Sequence, residues 1–322
     1  MTSEGPIEEW ATANYQDDPD GMKSRIKNLR EFCDWTGFTA EQFLEKAEES
    51  KPGRPPTFIK ERIVAYLQHL RQEGFAESTL ALKFSHIRTF FLWNNLFLPR
   101  LLWKKESNYP DYEDTTRVQL TQAKVRRMVA TAPTLKHRAV LAFLGQTGQR
   151  MGILTALKWS HIEEYREGTV GVVTVTNPYV DRRGVNVNKI RSRFRFVIGP
   201  QAFAMMKQLT KQKDGWVFSY RPRQINRIVI EAANRIGIQK ITERRKQFNG
   251  KKGVWHAVHA HTLRGYWAGQ MRKAEVHQDI VEYMMGHKPP HQGTYKRFTN
   301  RELLQNYRKA EPYLAIKGLE AK

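Results

Sequence analysis

The chain has 322 residues, enough for about two domains of ~100–200 residues with separate cores, and 40% of them are hydrophobic, which excludes wholesale disorder. Its 54 Lys and Arg against 32 Asp and Glu give a net charge of +22, which points to a polyanionic partner rather than a merely soluble basic surface. A membrane partner is excluded because no run of ~18 apolar residues could span one and the cations are not gathered on one amphipathic helix.

Residues 1–22 carry acids and no Lys or Arg. They lack the basic start and apolar centre of a signal peptide, so the protein is expected in the cytoplasm. The segment itself is expected to be a flexible acidic tail, either open in solution or laid over a basic groove.

Residues 23–103 read as helical. Ile26, Leu29 and Phe32 recur at three-residue spacing, and Cys33 beside them reads as a buried small hydrophobe. A lone cysteine allows no intrachain disulfide and no cysteine-based metal site. Thr39 and Gln42 form a capping-box pattern ahead of Phe43, Leu44 and Ala47. After the breaker Gly53–Pro56, residues Phe58, Ile59, Ile63, Tyr66, Leu67 and Leu70 mark one helix face. Ser78 is expected to cap a fourth helix, with Leu80, Phe84, Ile87 and Phe91 inward and Lys83 and Arg88 off that face, available to DNA.

Residues 104–117 are polar and aperiodic and read as a linker. From 118 onward the pattern mixes elements. Thr121 caps a helix through Ala130, and His137–Gln146 leads into a Thr-Gly-Gln-Arg turn ending at Arg150. Val170–Thr176 and Arg193–Ile198 read as the strands of a hairpin, with Arg191 and Arg193 among its DNA-facing cations. Pro200 starts a helix, Trp216–Phe218 is a short strand, and Pro222–Ile236 is helical. Lys240–Trp255 is a basic, glycine-interrupted loop, either solvated or against a DNA backbone. Asn300 caps the closing helix.

The chemistry is concentrated between His261 and Tyr295. His261 and Arg264 lie three apart, two helical segments follow, then Gly286-His287, and a tyrosine eight residues beyond, Tyr295. A guanidinium can grip a phosphate through two parallel bonds, imidazoles pass protons near neutral pH, and a tyrosine hydroxyl can act as a nucleophile. These are parts of a metal-free phosphoryl-transfer site. His256, His259 and His261 cluster, but with no nearby acid at ligand spacing they do not read as a zinc site. No cofactor is called for.

The order His-x-Leu-Arg, Gly-His, Tyr resembles box II of the tyrosine recombinases, and Thr147–Ile162 resembles their box I, a Thr-Gly-x-Arg turn entering a helix that ends Leu-x-Trp. The resemblance covers roughly residues 118–310. It implies a mainly α fold with a small β-hairpin or sheet (α+β): a helical core-binding domain over residues 23–103, and a catalytic domain over 118–322 that closes with it as a clamp on double-stranded DNA. It implies Arg150 and Arg264 as the phosphate clamp and His261 and His287 as groups that stabilise the phosphoryl oxygens and assist proton transfer. Lys189 on the hairpin becomes the general acid, with Arg182, Arg183, Arg191 and Arg193 as neighbouring cations. Tyr295 becomes the nucleophile, with Tyr307, Tyr313 and Tyr283 as rivals that fit a packed helix face.

Two departures stand out. Ile153 occupies the position where the family often has an acid, three residues after the first arginine, so another group must orient Arg150. The His287–Tyr295 gap is about a residue short. The activity implied is site-specific DNA recombination through a 3′-phosphotyrosine, on DNA as a homotetramer. A dimer resolvase of the same chemistry, a non-cleaving DNA-binding protein and a type IB topoisomerase are the alternatives.

Overall fold

The structure, a computed structural model, describes residues 5–16, 18–48, 57–75, 77–98, 118–188, 192–244, 253–287 and 298–316. The chain divides into two compact units, residues 1–113 with 243–254, and residues 114–242 with 255–322. The expected linker, residues 104–117, lies outside the described residues.

The first unit contains helices α1 (Pro6–Tyr15), α2 (Pro19–Thr36), α3 (Ala40–Glu48), α4 (Thr57–Gln72) and α5 (Glu77–Trp93). Helix α1 corrects the expectation of a flexible tail over residues 1–22. Pro6 pre-sets the first turn, Glu8 and Glu9 favour the positive end of the helix, and Ile7, Trp10 and Ala11 share one buried face. Trp10 is 1% exposed and meets Phe90 of α5 edge-on, with ring centroids 5.7 Å apart. Burying a side chain such as Ile7 contributes about 1.5–3 kcal/mol, which outweighs the acidic composition that had suggested a mobile segment. The capping box before α3 forms as expected, with Thr39 N donating to Gln42 Oε1 at 2.9 Å and Gln42 N to Thr39 Oγ1 at 3.2 Å. Helix α5 begins at Glu77, so Ser78 lies inside it rather than capping it.

Lys83 is a second correction. Its side chain is buried, and its ammonium donates to Glu31 at 2.6 Å and to Asn28 at 3.2 Å. Burial lowers its pKa while the Glu31 carboxylate opposes that shift. Removing this cation from its carboxylate would leave a buried charge unpaired, so Lys83 is a core residue, not a DNA contact. Arg88 is half-buried, with Nε donating to the Leu98 carbonyl at 2.8 Å.

The second unit is built around α7 (Leu135–Thr147), where every residue from Ala139 to Thr147 is buried. A helix apolar on all sides must be surrounded. Helices α6 (Gln122–Ala130), α9 (Pro200–Lys207) and α11 (Ala260–Lys273) pack against it. The unit also contains the short α8 (Met151–Thr155), α10 (Pro222–Arg235), α12 (Gln278–Met285) and α13 (Asn300–Leu314). Strands β1 (Ile162–Tyr165), β2 (Val170–Val175) and β3 (Phe194–Ile198) form an antiparallel sheet in that order, with Val172 opposite Val197. The β2–β3 pairing was expected; β1, with its two acids and no apolar run, was not. Trp216–Phe218 is not a strand, because only Trp216 bridges, to Lys158. The basic segment expected to be a loop instead contains two paired strands, β4 (Ile241–Arg244) and β5 (Gly253–His256). Thr299, not Asn300, caps α13, its hydroxyl accepting from Glu302 N. The fold is therefore mainly helical with a small antiparallel sheet. No helix among the described residues is long and apolar enough to cross a membrane.

Candidate active site

Two helix ends create the site. Helix α7 stops at Gly148, whose φ of +61° is left-handed and where a Cβ would lie 2.6 Å from the Trp267 ring, so only glycine fits. The chain then turns through Gln149 to Arg150, the residue preceding α8. Gln149 Nε2 donates to the Met284 carbonyl at 2.7 Å, tying this turn to the end of α12. Helix α12 in turn stops at Gly286, with φ +65° and the Phe194 ring 2.6 Å from a would-be Cβ. His287 N donates back to the Glu282 carbonyl at 3.0 Å, the six-to-one bond of a Schellman ending.

Arg264 bridges both ends. It projects from the second turn of α11 and is 2% exposed. Nη1 donates to Gly148 O at 2.7 Å, and Nη2 donates to Met285 O at 2.9 Å and to His287 Nε2 at 2.6 Å. Arg150 Nη1 donates to Gly286 O at 3.2 Å. The last carbonyls of a helix carry its negative dipole end, so both guanidiniums are held where cations are favoured. Ile153 is buried in the core, and the group that holds Arg150 in place of an acid there is the Gly286 carbonyl.

Even so, the cations strain one another. The Arg264 pKa is pushed down to about 9, first by burial and then by the charge of Arg150, with Glu282 opposing. Burial lowers Arg150 as well. His261, one turn before Arg264 on the same helix, is lowered by burial and then by Arg264, His259, Arg150 and His287. A negative charge brought among these groups would oppose every one of those shifts, so the arrangement can receive an anion.

Arg150, His261, Arg264 and His287 are thus brought together. Lys189, Arg191 and Tyr295 lie outside the described residues. Their flanks are anchored: Asn188 Nδ2 donates to the Thr176 carbonyl at 2.8 Å and to the Ser192 carbonyl at 2.9 Å, and Arg195 donates to the Phe298 carbonyl at 2.9 Å and to Asn300 Oδ1 at 2.5 Å. Arg193 is exposed. Arg182 pairs with Asp214 at 3.1 Å and Arg183 with Asp181 at 2.7 Å. Of the rival tyrosines, Tyr307 is fully buried and donates to Gln146 O at 2.8 Å, while Tyr283 packs edge-on against Phe298. Tyr313 is 41% exposed. Sequence reading missed Gln149 and Glu282. For Glu282 a signal existed, because a glycine stop folds the residue after it back over the helix's last turn.

A family model described as the phage integrase family matches residues 119–300. No curated protein matches the sequence. Among solved structures, the Tn1549 transposon integrase in complex with a circular intermediate DNA is 11% identical, covering 94% of this chain and 98% of its own at a TM-score of 0.57. A lambda integrase dimer bound to a COC′ core site is 14% identical, covering 100% and 98%, at 0.52. A lambda integrase tetramer bound to a Holliday junction is 16% identical, covering 91% and 79%, at 0.50. At these identities the likeness is one of fold.

Proposed function

We propose, from the premise that this chain belongs to the phage integrase family, the tyrosine recombinases, that it cleaves and rejoins double-stranded DNA at specific sites through a 3′-phosphotyrosine. The observation that carries the reading is that Arg264 and Arg150 are both bonded to the backbone where α12 ends, with His287 bonded to Arg264 and His261 one turn before it, an arrangement whose net positive charge suits a phosphate.

Three of the five N–H donors of Arg264 are used by Gly148, Met285 and His287 among the described residues, leaving Nε and one hydrogen of Nη1 for phosphate oxygens. Arg150 completes the clamp. The Tyr295 hydroxyl gives its proton to the His261 imidazole as its oxygen attacks phosphorus, the P–O5′ bond breaks, and Lys189 gives its proton to the leaving 5′ oxygen. Charge building on the phosphoryl oxygens is met by His261 and by the two guanidiniums, which their carbonyl partners orient before DNA arrives. Rejoining reverses the steps, the 5′ hydroxyl returning its proton to Lys189 as it displaces the tyrosine, which recovers its own from His261. Exchange between two sites needs four cleaving subunits, so the active assembly is a homotetramer on DNA, working in the cytoplasm.

The test is incubation with a supercoiled plasmid carrying the DNA that flanks this gene, in EDTA, followed by a detergent quench. Covalent protein–DNA adduct supports the reading; salt-sensitive retention with no adduct favours a non-cleaving DNA-binding protein.

A further inference from the structure

The carboxylate of Glu282 belongs to none of the roles above, yet it ends a continuous line of hydrogen bonds into Arg264. The turn at Gly286 folds His287 back over the last turn of α12, and its Nδ1 meets Glu282 Oε2. The other carboxylate oxygen accepts from Gln278 Nε2 at 2.5 Å, one turn earlier on the same helix. On the far side of the ring, Nε2 lies 2.6 Å from Arg264 Nη2.

A guanidinium has donors and no acceptor, so the 2.6 Å contact requires an unprotonated Nε2. The imidazole proton is then on Nδ1, directed at Glu282. The directions are set along the whole line: Arg264 donates to His287, His287 donates to Glu282, and Gln278 donates to Glu282. The position of the carboxylate argues that this line is its purpose. Glu282 lies in the last turn of α12, where the negative dipole end disfavours an acid, so helix stability alone does not call for it.

We propose that Glu282 is a positioning residue: by accepting from Nδ1 it holds His287 in the Nδ1–H tautomer, so that Nε2 becomes the third fixed acceptor, with Gly148 O and Met285 O, that aims the Arg264 guanidinium. The proposal rests on the reading of Arg264 as a phosphate-binding group. Without Glu282 the ring is free to carry its proton on Nε2, which turns a donor toward Arg264 and breaks the contact. One of the three bonds that orient the guanidinium is then lost, while its charge is kept.

The test uses the full chain and two readouts. Long-range proton–nitrogen NMR of free protein reports the His287 tautomer and needs no DNA. Wild type is expected as Nδ1–H, Glu282→Ala as a mixture or as Nε2–H, and Glu282→Gln, whose amide oxygen still accepts, as Nδ1–H. Single-turnover adduct formation on the flanking-DNA plasmid should fall about 10–100-fold in Glu282→Ala, the usual cost of removing a group that orients a functional side chain, and be largely restored in Glu282→Gln. Combining Glu282→Ala with His287→Ala should cost no more than His287→Ala alone, because the carboxylate acts through the ring. A His287 that stays Nδ1–H in Glu282→Ala, or losses that multiply in the double variant, would overturn the proposal. If Glu282→Ala does not fold, Glu282→Gln decides, and its switch to Nε2–H counts against. Absence of adduct in wild type would sink the recombinase reading and leave the tautomer result to judge Glu282.

Discussion

Arg150 and Arg264, far apart in the sequence, donate to consecutive carbonyls of one turn, Gly286 O and Met285 O. Both guanidiniums are therefore indexed to the same few atoms at the end of α12. A shift of that turn would move both together, so their spacing is set by backbone rather than by side-chain rotamers.

Arg264→Lys should separate charge from geometry. A lysine keeps the cation but cannot span Gly148 O, Met285 O and His287 Nε2 at once. Adduct formation is expected to fall by about 10²–10³, the usual cost of losing one oriented donor at a charged transition state, with DNA retention little changed. Quench-gel adduct rates beside filter retention check this.

Tyr307→Phe should act on stability and not on chemistry. The hydroxyl donates to Gln146 O inside the core, and its loss strands a buried acceptor at a cost of about 1–3 kcal/mol. The melting temperature should drop while adduct persists. An adduct lost with stability intact would contradict the placement of this ring.

Acid should weaken the first unit through His86. Its Nδ1 pairs with Asn28 at 2.7 Å, and burial, then Arg25 and Lys83, lower its pKa from 6.5 to about 4. Between those values the unfolded chain takes up a proton that the folded one refuses, so stability present above pH 6.5 is lost as pH falls to about 4. The full loss is about 3 kcal/mol. Melts across that range, with imidazole NMR of His86, check it; a His86 that titrates near 6.5 would contradict it.

Much of this was legible in the residues, and the failures share a cause. Arg150, His261, Arg264 and His287 were findable because their motif spacing places each at a helix end or on one helix face. Helix α1 was missed because its acids dominate composition, whereas its packing rests on three apolar residues, Ile7, Trp10 and Ala11. Lys83 was misplaced because periodicity sees apolar stripes and cannot see that Glu31, Asn28 and Tyr66, distant in sequence, make a polar socket inside one. Asn300 looked like a cap, but Thr299 takes that role and frees Asn300 to bond Arg195, Glu163 and Tyr165 across the sheet. Glu282 was missed for a related reason: its meaning depends on the backbone reversal at Gly286, which the glycine signals but periodicity does not read.

The central claim is that Tyr295 becomes joined to DNA. Protein trapped on the flanking-DNA plasmid, digested with nuclease and protease and read by mass spectrometry, should yield the peptide containing Tyr295 with nucleotide attached through a phosphate. Tyr295→Phe, which removes one hydroxyl and little volume, should bind DNA and give no such peptide. Nucleotide attached to Tyr313, or adduct at wild-type levels in Tyr295→Phe, would contradict the assignment of the nucleophile.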